Sequence, residues 1–184
     1  MDETMLRLIG MLDSPYVRRV AISLKMMGLP FSHEPLSVFR NYTAFDEINP
    51  VVKAPTVVTD DGTVLMDSSL ILEYLERIAP PTRRLSPTGV KAHARCQRLT
   101  GLALVAAEKS VQLLYERNLR PQEKQHQPWI NRVAAQLRAA YRVLDAEVVG
   151  HEGWLVGDNP CHADVAVAVA WTFTQHATPS KQTP

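Results

Sequence analysis

The sequence predicts a small α/β domain with a mixed sheet, followed by an all-helical domain. Three observations predict it. Short strand-like and helix-like segments alternate up to residue 80. A proline-rich stretch, Pro80 to Pro87 (PPTRRLSP), then interrupts the pattern. Beyond it the periodic segments have helical spacing and nothing reads as a strand. The expected limits are a first domain over 1–80, a linker over 81–87 and a helical domain over 88–184.

The elements follow in order. Met5 to Met11 (MLRLIGM) is a short apolar run, read as a buried strand. Asp13-Ser14-Pro15 places two cap-forming residues before a proline, which suits a first helical turn. Val17, Val20, Ala21 and Leu24 then recur on one helical face, and Gly28 ends the helix. Phe31 to Ser37 reads as a second strand that Pro35 moves toward a sheet edge. Residues 38–50 are irregular, with a helical turn around Tyr42 to Glu47. Asp60-Asp61-Gly62 between Thr56–Thr59 and Thr63–Met66 is a hairpin signal. Ile71, Tyr74, Leu75 and Ile78 mark a further helix, stopped by Pro80-Pro81. The first strand–helix–strand unit should pair in parallel through a right-handed crossover, to which the hairpin adds antiparallel strands.

In the second part, residues 88–119 read as one long helix, with Pro121 and Pro128 bracketing a break. Residues 129–149 form another, with Val133, Leu137, Ala140, Tyr141 and Leu144 on one face. Gly150 to Pro160 is a loop. The run Ala163 to Ala170 beyond Cys161 is apolar on nearly every side, as a buried central helix would be.

Composition narrows the function classes. The 184 residues carry a formal net charge of +1, which gives no electrostatic case for nucleic acid or a membrane surface. No apolar run approaches the ~18 residues of a membrane helix, and no signal-peptide core follows the acidic Met1-Asp2-Glu3-Thr4, so a cytoplasmic location is expected. The six histidines share no metal-ligand spacing, so no metal is expected. Cys96 and Cys161 form no Cys-x-x-Cys motif and read as free thiols.

Four motifs carry the functional expectation. They are Ser14-Pro15-Tyr16-Val17-Arg18-Arg19-Val20, Asn49-Pro50 with Lys53-Ala54-Pro55-Thr56-Val57, Asp67-Ser68-Ser69-Leu70-Ile71, and Gly157-Asp158-Asn159-Pro160 with Ala163-Asp164. In this order and spacing they resemble the cytosolic glutathione transferase family, in the form with a serine active site found in bacteria. The resemblance implies a thioredoxin-like first domain that binds glutathione. In it Ser14 would donate to the glutathione thiolate. Ala54, before a cis Pro55, would present its backbone to the cysteinyl part. Asp67 and Ser68 would hold the γ-glutamyl end. Lys53 and Arg40 could reach the glycyl carboxylate or be solvated charges. The second substrate, a small electrophile, should lie between the domains, with Tyr16, Glu108, Tyr115 and Trp171 as candidate contacts. Tyr115 and Trp171 could equally be core residues, and Trp171 fits the core reading better. Arg18 and Arg19 read as solvated or as contacts to a second subunit, since the resemblance also implies a homodimer.

Serine suits this chemistry. Only a thiolate is a good nucleophile, and an unperturbed thiol with pKa ~8.5 is a few per cent ionised at neutral pH. Lowering that pKa by ~2 units requires roughly 2.7 kcal/mol in favour of the anion. One hydroxyl donor offers about 1.5–3 kcal/mol and a helix N-terminus about 0.3–1 kcal/mol, so neither base nor metal is needed. Taken alone, Ser14 and Asp67-Ser68 also read as plain helix caps, with Asp13 competing for the first cap.

The chain departs from the family pattern twice. Cys161 stands where the capping box before Asp164 usually has Ser or Thr, which weakens that cap. The chain stops at Pro184, where family members usually carry one or two further helices. The helical domain is therefore read as incomplete or open on that side, and Thr178 to Pro184 as a disordered tail. The Ser-Ser-Cys pattern of maleylacetoacetate isomerases is absent. Serine favours conjugation, isomerisation or dehalogenation with glutathione. The alternative is a transferase-like regulator or assembly module of the kind bound to RNA polymerase.

Overall fold

A computed structural model describes residues 5–178. The chain divides into two compact units between Leu85 and Ser86. The expected tail beyond Thr178 lies outside the described residues.

The first unit holds a four-stranded mixed sheet in the order β2-β1-β3-β4. Strand β1 (Leu6–Ile9) runs into helix α1 (Pro15–Met27), which returns the chain to β2 (Phe31–Glu34). This crossover makes β1 and β2 parallel, Leu6 opposite Phe31. β2 ends before Pro35 and lies at a sheet edge, where a missing N–H costs least. Helix α2 (Tyr42–Asp46) is short. The Asp-Gly segment turns β3 (Thr56–Val58) into β4 (Val64–Met66), and β3 also pairs antiparallel with β1. Helix α3 (Ser68–Ile78) closes the unit.

α1 and α3 pack over a core that includes Leu8, Val17, Val20, Leu24, Val57, Ile71 and Leu75. Ile9, Phe45 and Val58 form a second cluster. Gly28 caps α1 with φ 68, and its N–H reaches the Leu24 and Lys25 carbonyls. A 3₁₀ turn at Pro81–Arg83 follows α3. Leu85 is buried in this unit's core and donates its N–H to Glu76 Oε1 at 2.8 Å, which anchors the otherwise exposed proline-rich stretch to the first unit.

The second unit contains α4 (Val90–Asn118), α5 (Gln127–Val148) and α6 (His162–Ala177). The fold is thus a thioredoxin-like α/β domain followed by a helical one. Pro128 lies in the first turn of α5 instead of outside it, where proline's fixed φ suits a helix start. Arg95 and Arg98 on α4 grip Glu147 on α5 at 3.1 and 2.7 Å. α6 is not enclosed on every side: Val165, Ala166, Val169 and Ala170 are buried, but Ala168 and Trp171 are exposed. Asp164 accepts N–H bonds from Cys161 at 2.8 Å and Leu155 at 2.9 Å, so the capping motif holds with cysteine in the cap position. Among the described residues no helix is long and apolar enough to cross a membrane, and no cluster of His, Cys, Asp or Glu could hold a metal.

Candidate functional site

Strand register gathers three of the motifs at one end of the sheet. Ile9 pairs with Thr56, and Thr56 with Met66. The residues that follow Ile9, precede Thr56 and follow Met66 therefore leave the sheet at the same end. Those residues lead to Ser14, to Ala54 and Pro55, and to Asp67 and Ser68. Gly10 lets them close up. Its φ is 133, and a Cβ there would lie 2.7 Å from Val17 Cγ2 and 3.1 Å from the Ala54 Cβ. Only a residue without a side chain allows the end of β1, the first turn of α1 and the loop before Pro55 to meet. The Gly10 carbonyl accepts from His33 Nε2 at 2.8 Å, and its N–H donates to the Glu34 carbonyl at 3.0 Å.

Ser14, and not the exposed Asp13, caps α1. Its Oγ accepts the Val17 N–H at 3.4 Å, long for such a bond. A serine hydroxyl has one proton and two lone pairs. The cap contact uses a lone pair and leaves the proton free to be donated, so cap and anion donor are compatible roles. Tyr16 is half-buried in the same turn.

Asn49 and Thr56 hold the loop before Pro55. Asn49 is buried; its Nδ2 donates to Thr56 Oγ1 at 2.8 Å and its Oδ1 accepts from Val51 N–H at 3.1 Å. The Thr56 hydroxyl donates to the Lys53 carbonyl at 2.7 Å. Ala54 is half-buried and the Ala54–Pro55 peptide is cis. Lys53 and Arg40 are exposed. The backbone N–H of Arg40 donates to Ser37 Oγ at 3.2 Å. The hydrogen bonds of the described residues tie neither side chain to Ser14, Asp67 or Ser68.

Asp67 opens α3 with φ 71 and ψ 121, a region that residues with a Cβ rarely adopt and that costs about 1–3 kcal/mol. Its Oδ1 accepts the Ser69 N–H at 2.9 Å. Ser68 is buried, and its Oγ accepts from Arg19 Nη1 at 3.1 Å; Ser69 Oγ accepts from the same nitrogen at 3.2 Å. Arg19 corrects the expectation of a solvated side chain: it is 4% exposed. Burial pushes its guanidinium down to about 10, opposed by the nearby charge of Asp67 and by Tyr16. Arg19 lies across α1 from the Val17–Leu24 stripe, where periodicity predicts solvent. There it forms a second buried row with Ser23 and Met27. Asn49, Thr56 and Arg19 within the motifs, and Gly10 before the first, are thus structural residues that sequence reasoning did not single out as site residues.

The remaining candidates lie in the helical unit. Glu108 is exposed on α4, bonded to Lys109 Nζ at 3.1 Å and Gln112 Nε2 at 2.8 Å. Tyr115, two turns further on α4, is 43% exposed. Trp171 on α6 is 51% exposed and meets Tyr141 edge-on, ring centroids 5.3 Å apart. Neither Tyr115 nor Trp171 is a core residue.

A family model described as Glutathione S-transferase, N-terminal domain, matches residues 8–83. The maleylacetoacetate isomerase of Pseudomonas aeruginosa is 31% identical over 160 residues, covering 80% of this chain and 71% of that protein. A glutathione S-transferase from Methylobacterium radiotolerans, solved in complex with glutathione sulfonate, matches with a TM-score of 0.85 at 27% identity, over 92% of this chain and 79% of that one. A family member from Pseudomonas fluorescens with bound glutathione matches with a TM-score of 0.81 at 30% identity, over 95% and 84%. Sequence motifs, sheet register and these relatives agree: the chain belongs to the glutathione S-transferase family.

Proposed function

We propose that the protein binds glutathione on its first unit and transfers it to a small electrophile, with Ser14 donating a hydrogen bond to the thiolate. The observation that carries this is the register that sends Ser14, Ala54-Pro55 and Asp67-Ser68 from one end of the sheet. Ser14 contributes its free proton and the N-terminus of α1 its positive end, both favouring the sulfur anion. Ala54 offers its backbone to an extended peptide, as in strand addition. The Asp67 carboxylate faces the ligand's ammonium, and Ser68 with the N-terminus of α3 takes the γ-glutamyl carboxylate. Lys53 and Arg40 are candidate partners of the glycyl carboxylate.

In the transfer, the glutathione thiolate attacks the electrophilic carbon, a sulfur–carbon bond forms, and the leaving group departs with its bonding pair. Ser14 moves no proton in that step; it holds the anion whose proton was lost to solvent. Support for the glutathione ligand comes from the relatives crystallised with glutathione or its sulfonate. Tyr16, Glu108, Tyr115 and Trp171 are retained as candidate contacts of the electrophile, and a cytoplasmic homodimer as the working state. An activated aryl halide is the test: glutathione-dependent halide release supports transfer. Glutathione binding with no conjugate formed from a panel of halides, epoxides and enones would favour the regulator or assembly module bound to RNA polymerase.

A further inference from the structure

Cys96 and Cys161 are 65 positions apart in sequence, yet their sulfurs lie 3.6 Å apart. Both are free and buried, in one cluster with Leu99, Leu144, Val156 and Ala163. Cys96 faces inward from the second turn of α4, and Cys161 caps α6. The Cys96 sulfur has the Cys161 thiol as hydrogen-bond partner, with the Ala163 N–H in the first turn of α6 and Thr100 one turn along α4 as neighbours that favour its anion. The Thr100 hydroxyl oxygen is buried and has no hydrogen-bond partner among the described residues. Ionisation of Cys96 gives it a strong acceptor. The contact with Cys161 first, and then the Ala163 N–H, pull the Cys96 thiol below the ordinary range, while the same contact and burial push the Cys161 thiol up. Neither cysteine takes part in the glutathione chemistry proposed above.

We propose that Cys96 and Cys161 form an oxidisable dithiol, in which a hydroperoxide oxidises Cys96 and Cys161 closes an intramolecular disulfide. The Cys96 thiolate attacks one peroxide oxygen; a sulfur–oxygen bond forms, the oxygen–oxygen bond breaks, and hydroxide leaves to take a proton. Cys161 then attacks the sulfenic sulfur; the sulfur–sulfur bond forms and the hydroxyl group leaves as water with the Cys161 proton. Two thiols lose two electrons and one peroxide becomes two waters. The sulfurs need to approach from 3.6 Å to about 2.05 Å. Hydrogen peroxide must enter by local opening at Val156, which is buried but comes from a loop, 149–160, most of whose residues are exposed. Two molecules of a free thiol such as glutathione reverse the reaction by exchange. The product would pin the start of α6 to α4.

The experiment treats the full chain with hydrogen peroxide, alkylates it after denaturation and reads the intact mass and the proteolytic peptides. The expected result is a loss of about 2 Da, two hydrogens, with a linked peptide pair holding Cys96 and Cys161, both reversed by reduced glutathione. A thiol pair still fully alkylatable after excess peroxide overturns the proposal. So does a chain-to-chain disulfide, or a sulfinic Cys96 beside a free Cys161. Cys161→Ser keeps a good cap and therefore the fold. It should retain added oxygen on Cys96 in place of the two-hydrogen loss; an unmodified Cys96 in this variant also overturns the proposal.

Discussion

Replacing Ser14 with alanine separates its two roles, because the structure sizes them differently. As a cap, Ser14 accepts the Val17 N–H at 3.4 Å, so its loss should cost folding stability at the low end of the usual range, about 0.5 kcal/mol. As a donor to a thiolate it is worth about 1.5–3 kcal/mol, while the N-terminus of α1 remains in the variant. At 1.36 kcal/mol per pKa unit, the thiol pKa of bound glutathione should rise by about 1–2 units. Conjugation near pH 7 should then fall roughly 3- to 25-fold and recover as the pH rises past the new pKa, because the nucleophile itself is intact. Ultraviolet titration of the bound thiolate gives the pKa, and a pH–rate profile gives the recovery. A variant that loses about 2 kcal/mol of stability by urea unfolding with no change in thiol pKa would refute the donor role and leave Ser14 as a cap alone.

Further outcomes follow from other residues. Arg19→Met should lower glutathione affinity about 10-fold by calorimetry, since it removes the donor that orients Ser68 and Ser69. Its effect on stability should be small or favourable, because burial pushes the Arg19 guanidinium from its ordinary value down to about 10, a penalty of about 3 kcal/mol on the charged form. That penalty is present at neutral pH and fades only as the pH rises above 10. Gly10→Ala should destabilise the protein by about 2–3 kcal/mol in urea unfolding, through contact with Val17 and Ala54, and weaken glutathione binding in the same variant. Glu147 is held below the usual carboxylate range by the Arg98 hydrogen bond first, then by the charges of Arg98 and Arg95. A depressed folded-state pKa gives stability that is present above the unfolded value, about 4.3, and lost as the pH falls through the folded one. The urea midpoints of wild type and Glu147→Gln should therefore differ at pH 6 and converge toward acid.

Local signals carried most of the fold. Asp60-Asp61-Gly62 placed the hairpin, Ser14-Pro15 and Gly28 bounded α1, and Pro35 marked the edge strand. They worked because turns and caps depend on a few adjacent residues. What escaped depended on contacts distant in sequence. Arg19 meets Ser68 49 positions away, so its place opposite the apolar stripe of α1 read as solvent. Gly10 reads as an ordinary apolar-strand residue until Val17 and Ala54 close around it. Trp171 sits in an apolar run that suggests a core helix, yet the face of α6 it shares with Ala168 is exposed. Pro128 read as a breaker because proline ends helices more visibly than it starts them, although its fixed φ suits a first turn. The candidate site was legible as motifs, while the hydrogen bonds of Asn49, Thr56 and Arg19 that support it were not.

Calorimetric titration of the full chain with reduced glutathione tests the central claim most directly. Glutathione recognition by one sheet end predicts a saturable heat with one site per chain at submillimolar to millimolar ligand, weakened in Arg19→Met. No heat at millimolar glutathione would contradict it.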